Sequence, residues 1–148
     1  MKQLIALNQF VFLAEGEQSI NADQIPDDLN PIIDLFIKDN DGKPLSQIKI
    51  DLGRLFLTGN NEQELMLRMV GDYFIIARIC FRHKRQGNMK RLEQLLLNLC
   101  EKYQDKKGVI IESIVTNEMR NYCLKNGYQP FHNSNYDFMK EKEGISHE

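Results

Sequence analysis

The sequence predicts a mixed α/β (α+β) domain built on a mixed central sheet. Three observations predict it. From residue 65 the element signals run strand, strand, helix, strand, helix, strands. Two apolar runs, YFIIARICF at residues 73–81 and VIIESIVT at residues 109–116, have the near-continuous character of strands buried on both faces. Between them, Leu92, Leu95, Leu96, Leu99 and Tyr103 recur at helical spacing, an amphipathic helix of about four turns. A helix joining two buried strands makes them parallel neighbours through a right-handed crossover.

Taken in order, residues 4–14 read as a strand or a helix, and the pattern does not decide between them. Residues 15–24 are polar and predict a loop. PDDLNPIIDLFIK, residues 26–38, predicts a short helix in which Pro31 either disturbs the helix or starts its second part. Asn40-Asp41-Gly42-Lys43-Pro44 is a turn. Residues 48–58 predict one strand, with Gly53 a bulge or turn inside it. Gly59-Asn60-Asn61 is a second turn. Residues 65–70 and 73–81, separated by Gly71-Asp72, form a hairpin. The long helix that follows is expected to stop at Gly108. Residues 117–126 predict a short helix stopped by Gly127, and residues 128–131 and 136–139 a closing strand pair. Residues 1–140 are expected to form a single domain, with 141–148 a frayed tail.

The 148 residues suffice for one domain with a proper core. At 42% hydrophobic and 27% charged residues the composition is that of a globular protein. Net charge −2 and a pI near 5.9 argue against a dedicated nucleic-acid protein. Cys80, Cys100 and Cys123 are odd in number, widely spaced and set among apolar residues. They predict reduced, mostly buried thiols rather than a disulfide framework. No metal is implied, since His132 and His147 lack ligand partners in sequence. A secretory reading of MKQLIALNQFVFLAEG is opposed by Asn8 and Gln9 inside the apolar run. No segment approaches the ~18 apolar residues of a membrane span, and a soluble, cytoplasmic protein is expected.

Against this mild acidity stands a concentration of positive charge. Arg82, Lys84, Arg85, Lys90 and Arg91 lie within ten residues, around Gly87 and at the start of the long helix. A helix N-terminus presents unpaired N–H groups and a partial positive charge, so strand, glycine loop and helix together make a phosphate cradle. A solvated basic loop with a capping glycine fits the same residues. Neither GxxxxGK[ST] nor GxGxxG occurs, which excludes a P-loop and a Rossmann dinucleotide site.

The longer pattern is more specific. After the strand at 73–81 comes Lys84-Arg85-Gln86-Gly87-Asn88-Met89, then the amphipathic helix, a second strand, and a short helix ending Cys123-Leu124-Lys125-Asn126-Gly127-Tyr128. Residues 73–131 in this way resemble the acetyl-CoA-binding half of the GNAT N-acetyltransferase superfamily. There the loop reads [Q/R]-x-x-G-x-[G/A] and the later helix often ends Y-x-x-x-G-[F/Y]. The resemblance implies the GNAT-like acyl-CoA N-acyltransferase fold. It implies that the amides of Lys84, Arg85, Gln86, Gly87, Asn88 and Met89 bind the pyrophosphate of coenzyme A. Splayed strands would admit the pantetheine arm, backbone at Ile79, Cys80 and Phe81 would meet the thioester oxygen, and Asn117 would be a further cofactor contact. Three positions depart from the pattern. Lys84 stands where Gln or Arg is usual, Met89 where Gly or Ala is usual, and Cys123 where many members have the tyrosine that protonates the leaving thiolate.

Acetylation of an amine by direct attack needs the two reactants held together, a route for the amine proton and a donor aimed at the carbonyl oxygen. Arg78 and Glu112 interrupt the two apolar strands and could face each other, as a structural pair or with Glu112 as general base. Cys123 is a weak acid, a nucleophile or a packed thiol, and Tyr122 is an alternative acid one residue away. The leading expectation is an acetyl-CoA-dependent N-acetyltransferase acting on an amine, of a small molecule or a protein. The second is a GNAT-like binding module without turnover. The third is a nucleic-acid contact through the basic loop, against which the mild acidity counts. A homodimer formed by pairing around residues 136–139 is a further possibility.

Overall fold

The computed structural model describes residues 25–144 together with a two-residue strand at Ser19–Ile20. The alternatives for residues 4–14, the leader reading and residues 145–148 lie outside the described residues. The strands are β1 (Ser19–Ile20), β2 (Gln47–Asp51), β3 (Arg54–Thr58), β4 (Glu64–Arg68), β5 (Tyr73–Cys80), β6 (Gly108–Ile111), β7 (Gln129–Pro130) and β8 (Phe138–Glu141). The helices are α1 (Asn30–Asp39), α2 (Asn88–Lys102) and α3 (Asn117–Lys125). The strands form one sheet in the order β1-β2-β3-β4-β5-β6-β8-β7. Every neighbouring pair is antiparallel except β5 and β6, which run parallel across the α2 crossover. The mixed sheet and the parallel pair expected from the apolar runs are therefore present.

Alternation along the strands gives the sheet two unlike faces. Ile50, Leu55, Leu67, Ile76, Ile111 and Phe138 lie side by side in register and are all buried. Onto this row pack Ile32, Ile33 and Phe36 of α1 and Leu92, Leu96, Leu99 and Cys100 of α2, at the spacing of one helix face. The opposite face carries Asp51, Arg54, Arg68, Ile75, Ile110 and Met139 in one row. Of these only Ile110 is buried.

Several boundaries differ from expectation, each for a local reason. Residues 48–58 are two strands, because Leu52 (φ 52°) and Gly53 (φ 73°) turn the chain back on itself. Pro31 sits in the first turn of α1, where its missing N–H costs nothing, after a 3-10 turn at Asp27–Leu29. The loop expected at 15–24 includes β1. Helix α2 ends at Lys102, well before Gly108, which instead opens β6. A Cβ there would lie 2.7 Å from Glu141 Cα, so this glycine lets β8 close against β6. Strand β6 stops at Ile111 rather than 116, because Ser113 takes a left-handed conformation (φ 59°). Gly127 does stop α3: at φ 83° it lets the Tyr128 N–H return to Cys123 O at 2.9 Å. The chain from residue 141 is not frayed at its start. Glu141 belongs to β8, and Lys142 N–H bonds Lys107 O at 2.8 Å.

Phe138 and Met139 of β8 have β6 on one side and β7 on the other, and β7 carries Pro130. Pairing with a second copy around residues 136–139 therefore finds the backbone at 138 and 139 already engaged.

Candidate functional site

The β5–α2 loop is built on unusual backbone. Arg85 (φ 60°) and Gly87 (φ 76°) both lie in the left-handed region. Gly87 is the N-cap of α2; it has no side chain to offer, and among the described residues no side-chain hydrogen bond caps the helix. No acidic residue lies in the first turn. Among the described residues the leading N–H groups of a 15-residue helix thus end without a side-chain acceptor, beside exposed Lys84, Arg85, Gln86 and Arg91. The space over Gly87 is open, so its conformation, not a protein neighbour, demands the glycine.

The loop is braced from α1. Asp39, the last residue of that helix, is 4% exposed. Its Oδ2 accepts the Arg82 N–H at 2.7 Å and Gln63 Nε2 at 2.7 Å. Its Oδ1 accepts the His83 N–H at 2.9 Å and Asn88 Nδ2 at 3.1 Å. Phe36 of α1 stacks on Phe81 with centroids 4.9 Å apart, a contact worth about 1 kcal/mol beyond its burial. Asp41 pairs with Arg82 at 3.0 Å and with His83 at 2.7 Å. The hydrogen bond from His83, followed by the Arg82 charge, holds the Asp41 carboxyl below the usual carboxylate range.

These contacts divide the basic cluster. Arg82 is committed to Asp41 and Asn40. Lys90 reaches Asn126 at 2.9 Å and Glu93 at 3.9 Å. Lys84, Arg85 and Arg91 form no ion pair among the described residues, so they supply the loop's outward charge.

Beside the loop the sheet opens. Strands β5 and β6 pair from Tyr73–Gly108 to Ile76–Ile111, and the Glu112 N–H still reaches Ile76 O at 3.0 Å. The Ser113 N–H then goes to Asp137 Oδ1 at 3.0 Å and the Ile114 N–H to Tyr136 O at 2.7 Å, away from β5. Strand β5 continues for four residues, roughly 13 Å, with β4 as its only strand partner among the described residues. A bulge at Ala77, skipped by the β4–β5 register between Ile76 and Arg78, bends it where the partners separate. Ile79 and Cys80 line this free edge, and Phe81 follows it. Lys84 Nζ lies 3.8 Å from Cys80 Sγ.

The structure places the other candidates as follows. Glu112 does not face Arg78, which is exposed; its carboxylate pairs with Arg68. Strand register explains the pairing with Arg68. Arg68 pairs with Ile75 across β4–β5 and Ile75 with Ile110 across β5–β6, which sets Arg68 on the same face as Glu112, two residues beyond Ile110. Cys123 is fully buried, and burial pushes its thiol up to about 12. Tyr122 donates its hydroxyl to Glu93 Oε1 at 2.9 Å; burial, then that hydrogen bond, raises its pKa far above the usual phenol value. Glu93 is itself buried and accepts Lys140 Nζ at 2.8 Å on Oε2. Asn88 lies in the loop, but its side chain faces Asp39 and the His83 carbonyl. Met89 is half-buried, packed against the core. Asn117 opens α3, next to Thr116, whose Oγ1 caps the helix by accepting the Met119 N–H. The Lys90–Asn126 bond brings the opposite end of α3 to α2, so Asn117 stands about 12 Å along the helix from that junction.

Asp39, Asn40, Asp41, Arg68 and Glu93 are organising residues that sequence reasoning missed. One signal was legible: an acid at a helix C-terminus opposes the dipole, so Asp39 invites a search for donors. The described residues contain no group of three or more His, Cys, Asp or Glu able to hold a metal ion, and no helix long and apolar enough to cross a membrane. No family model, curated protein or solved structure matches the chain.

Proposed function

We propose that the protein is a GNAT-like acetyl-CoA-dependent N-acetyltransferase that holds coenzyme A between the open edge of β5 and the N-terminus of α2. The observation that carries this reading is one juxtaposition. The parallel strands part after Ile76 and Ile111 at the end of β5 that leads into an uncapped helix start flanked by Lys84, Arg85 and Arg91. An anionic pyrophosphate suits the amides at Gly87, Asn88 and Met89. An extended pantetheine arm suits the β6 side of β5 at Ala77–Cys80, which has no strand partner among the described residues. The thioester carbonyl would then meet backbone near Ile79–Phe81, where a fixed N–H stabilises the developing oxyanion. The acceptor is an amine, from a small molecule or a protein, that attacks the thioester directly and leaves free coenzyme A.

A second reading is a coenzyme A-binding module without turnover. It is favoured by the state of the acid candidates: Cys123 is buried and held protonated, and the Tyr122 hydroxyl is committed to Glu93. Glu112 would have to leave Arg68 before serving as a base. Nucleic-acid binding has less support, since Arg82, His83 and Lys90 of the basic stretch are turned to protein partners.

The test is thermal unfolding with saturating acetyl-CoA, with coenzyme A, ATP and a short DNA as controls. A ligand at about 100 times its Kd adds about 2.7 kcal/mol, roughly 5–10 °C at this size. The expected result is a shift with both coenzyme A compounds and none with DNA. No shift with either, in folded protein, would remove the cofactor from the account. Binding without release of free thiol across a panel of amines would select the second reading.

A further inference from the structure

We infer that Asp39 is a positioning residue for the anion site: its carboxylate takes two consecutive amides early in the β5–α2 loop, those of Arg82 and His83, and the loop's later amides face outward as a result. The inference rests on the proposed use of this loop as an anion cradle. Asp39 stands at the C-terminus of α1, where a negative charge is disfavoured by the helix dipole. It is also nearly removed from water. A carboxylate bears both costs when its lone pairs are filled, and here four donors fill them. Two of the four are backbone N–H groups of consecutive loop residues, Arg82 and His83. Satisfied by a protein carboxylate, they cannot swing out toward a ligand, and the chain is directed into the left-handed steps at Arg85 and Gly87.

The fourth donor links the brace to the helix itself. Asn is a favoured helix-capping residue, yet the Asn88 side chain bonds Asp39 at 3.1 Å and the His83 carbonyl at 3.3 Å. With Asn88 drawn backward and Gly87 at the cap, the α2 N–H groups stay uncapped. The same cluster draws the Arg82 guanidinium onto Asp41, away from the outward side of the loop. Gln63, on the turn before β4, completes it by bonding both Asp39 and Phe36 O. The shape of the anion site is therefore set from α1 and the β3–β4 turn, more than forty and about twenty residues upstream.

The experiment measures amide-resolved hydrogen exchange and binding of two probes, coenzyme A and inorganic pyrophosphate, for wild type, Asp39→Asn and Asn88→Ala. Asp39→Asn should speed exchange at Arg82 and His83 while β5 amides keep their protection. It should weaken both probes by about tenfold, the equivalent of one lost charge-assisted contact. Asn88→Ala leaves Asp39 three donors and the fold intact, and should weaken both probes by about threefold with a melting temperature lowered by only a few degrees. If Asp39→Asn does not fold, Asn88→Ala decides. Unchanged affinity in a folded Asp39→Asn, or in Asn88→Ala when that variant decides, overturns the inference and leaves the cofactor reading standing. Wild-type binding of pyrophosphate but not coenzyme A, weakened in the variants, supports the inference and overturns the cofactor reading. A wild type that binds neither probe overturns both.

Discussion

Gly108 shows how much one missing side chain can decide. It opens the parallel strand partner of β5, and the backbone of the neighbouring β8 lies close against it. Gly108→Ala would drive a methyl group into the Lys140 carbonyl and the Glu141 Cα, backbone atoms that cannot rotate aside. The expected cost is about 3 kcal/mol, in the range of overpacking against rigid neighbours, read as a lower urea midpoint with an unchanged slope. Gly87 differs in kind. Nothing lies within 4 Å of a Cβ built there, and the demand comes from φ 76° alone. Sequence showed both as glycines at element boundaries and could not say which was conformational and which was steric.

At the scale of elements, the β2–β3 hairpin is the least expected feature. Residues 48–58 carry the composition of one strand because the turn is Asp51-Leu52-Gly53-Arg54, with leucine where a hairpin of this kind prefers Asn or Asp. Positive φ at both central residues marks a type I′ turn, and a γ-branched leucine at φ 52° is strained there. Leu52 is also 36% exposed, so it is only partly buried. Leu52→Asn should therefore stabilise the protein by about 0.5–1 kcal/mol, seen as a rise in melting temperature. The α2 helix and the β4–β5 hairpin were legible, because the leucine spacing and Gly71-Asp72 are local signals. The Ala77 bulge was not. It leaves no mark in YFIIARICF, and it arises from fitting β5 to β4 on one side and β6 on the other.

For the whole molecule, burial of several neutral acids sets the response to alkali. Burial pushes the Cys100 thiol up to about 11 and the Cys123 thiol up to about 12, and raises Tyr122 and Tyr128 far above the usual phenol value. The unfolded chain releases thiol protons near 9 and phenol protons near 10, while the fold retains them. The unfolded state therefore binds fewer protons in that window, and stability falls as pH rises. Lys106 acts in the other direction. Burial lowers its pKa below 10.5, so the unfolded chain binds more protons just below that value. The urea midpoint should be flat between about pH 7 and 8.5 and decline from about pH 9 to 11, with a shallower decline in Cys123→Ala. A midpoint that rises over that interval would contradict the assigned burial of the thiols.

The sequence by itself determined the mixed α/β class, the crossover helix with its leucine face, the hairpin before it and the glycine loop with its excess of positive charge. Each is written in neighbouring residues, as a period, a turn dipeptide or a charge count, and needs no knowledge of what packs where. Only the tertiary structure decided that Glu112 meets Arg68 rather than Arg78, that Tyr122 is committed to Glu93, and that β6 leaves β5 at Ser113. It alone brought Asp39 to the amides of Arg82 and His83, across more than forty residues of chain. Those partnerships depend on strand register, on one bulge and on single left-handed residues. Register sums contributions from the whole sheet, and a shift of one residue exchanges its faces, so no local pattern carries it.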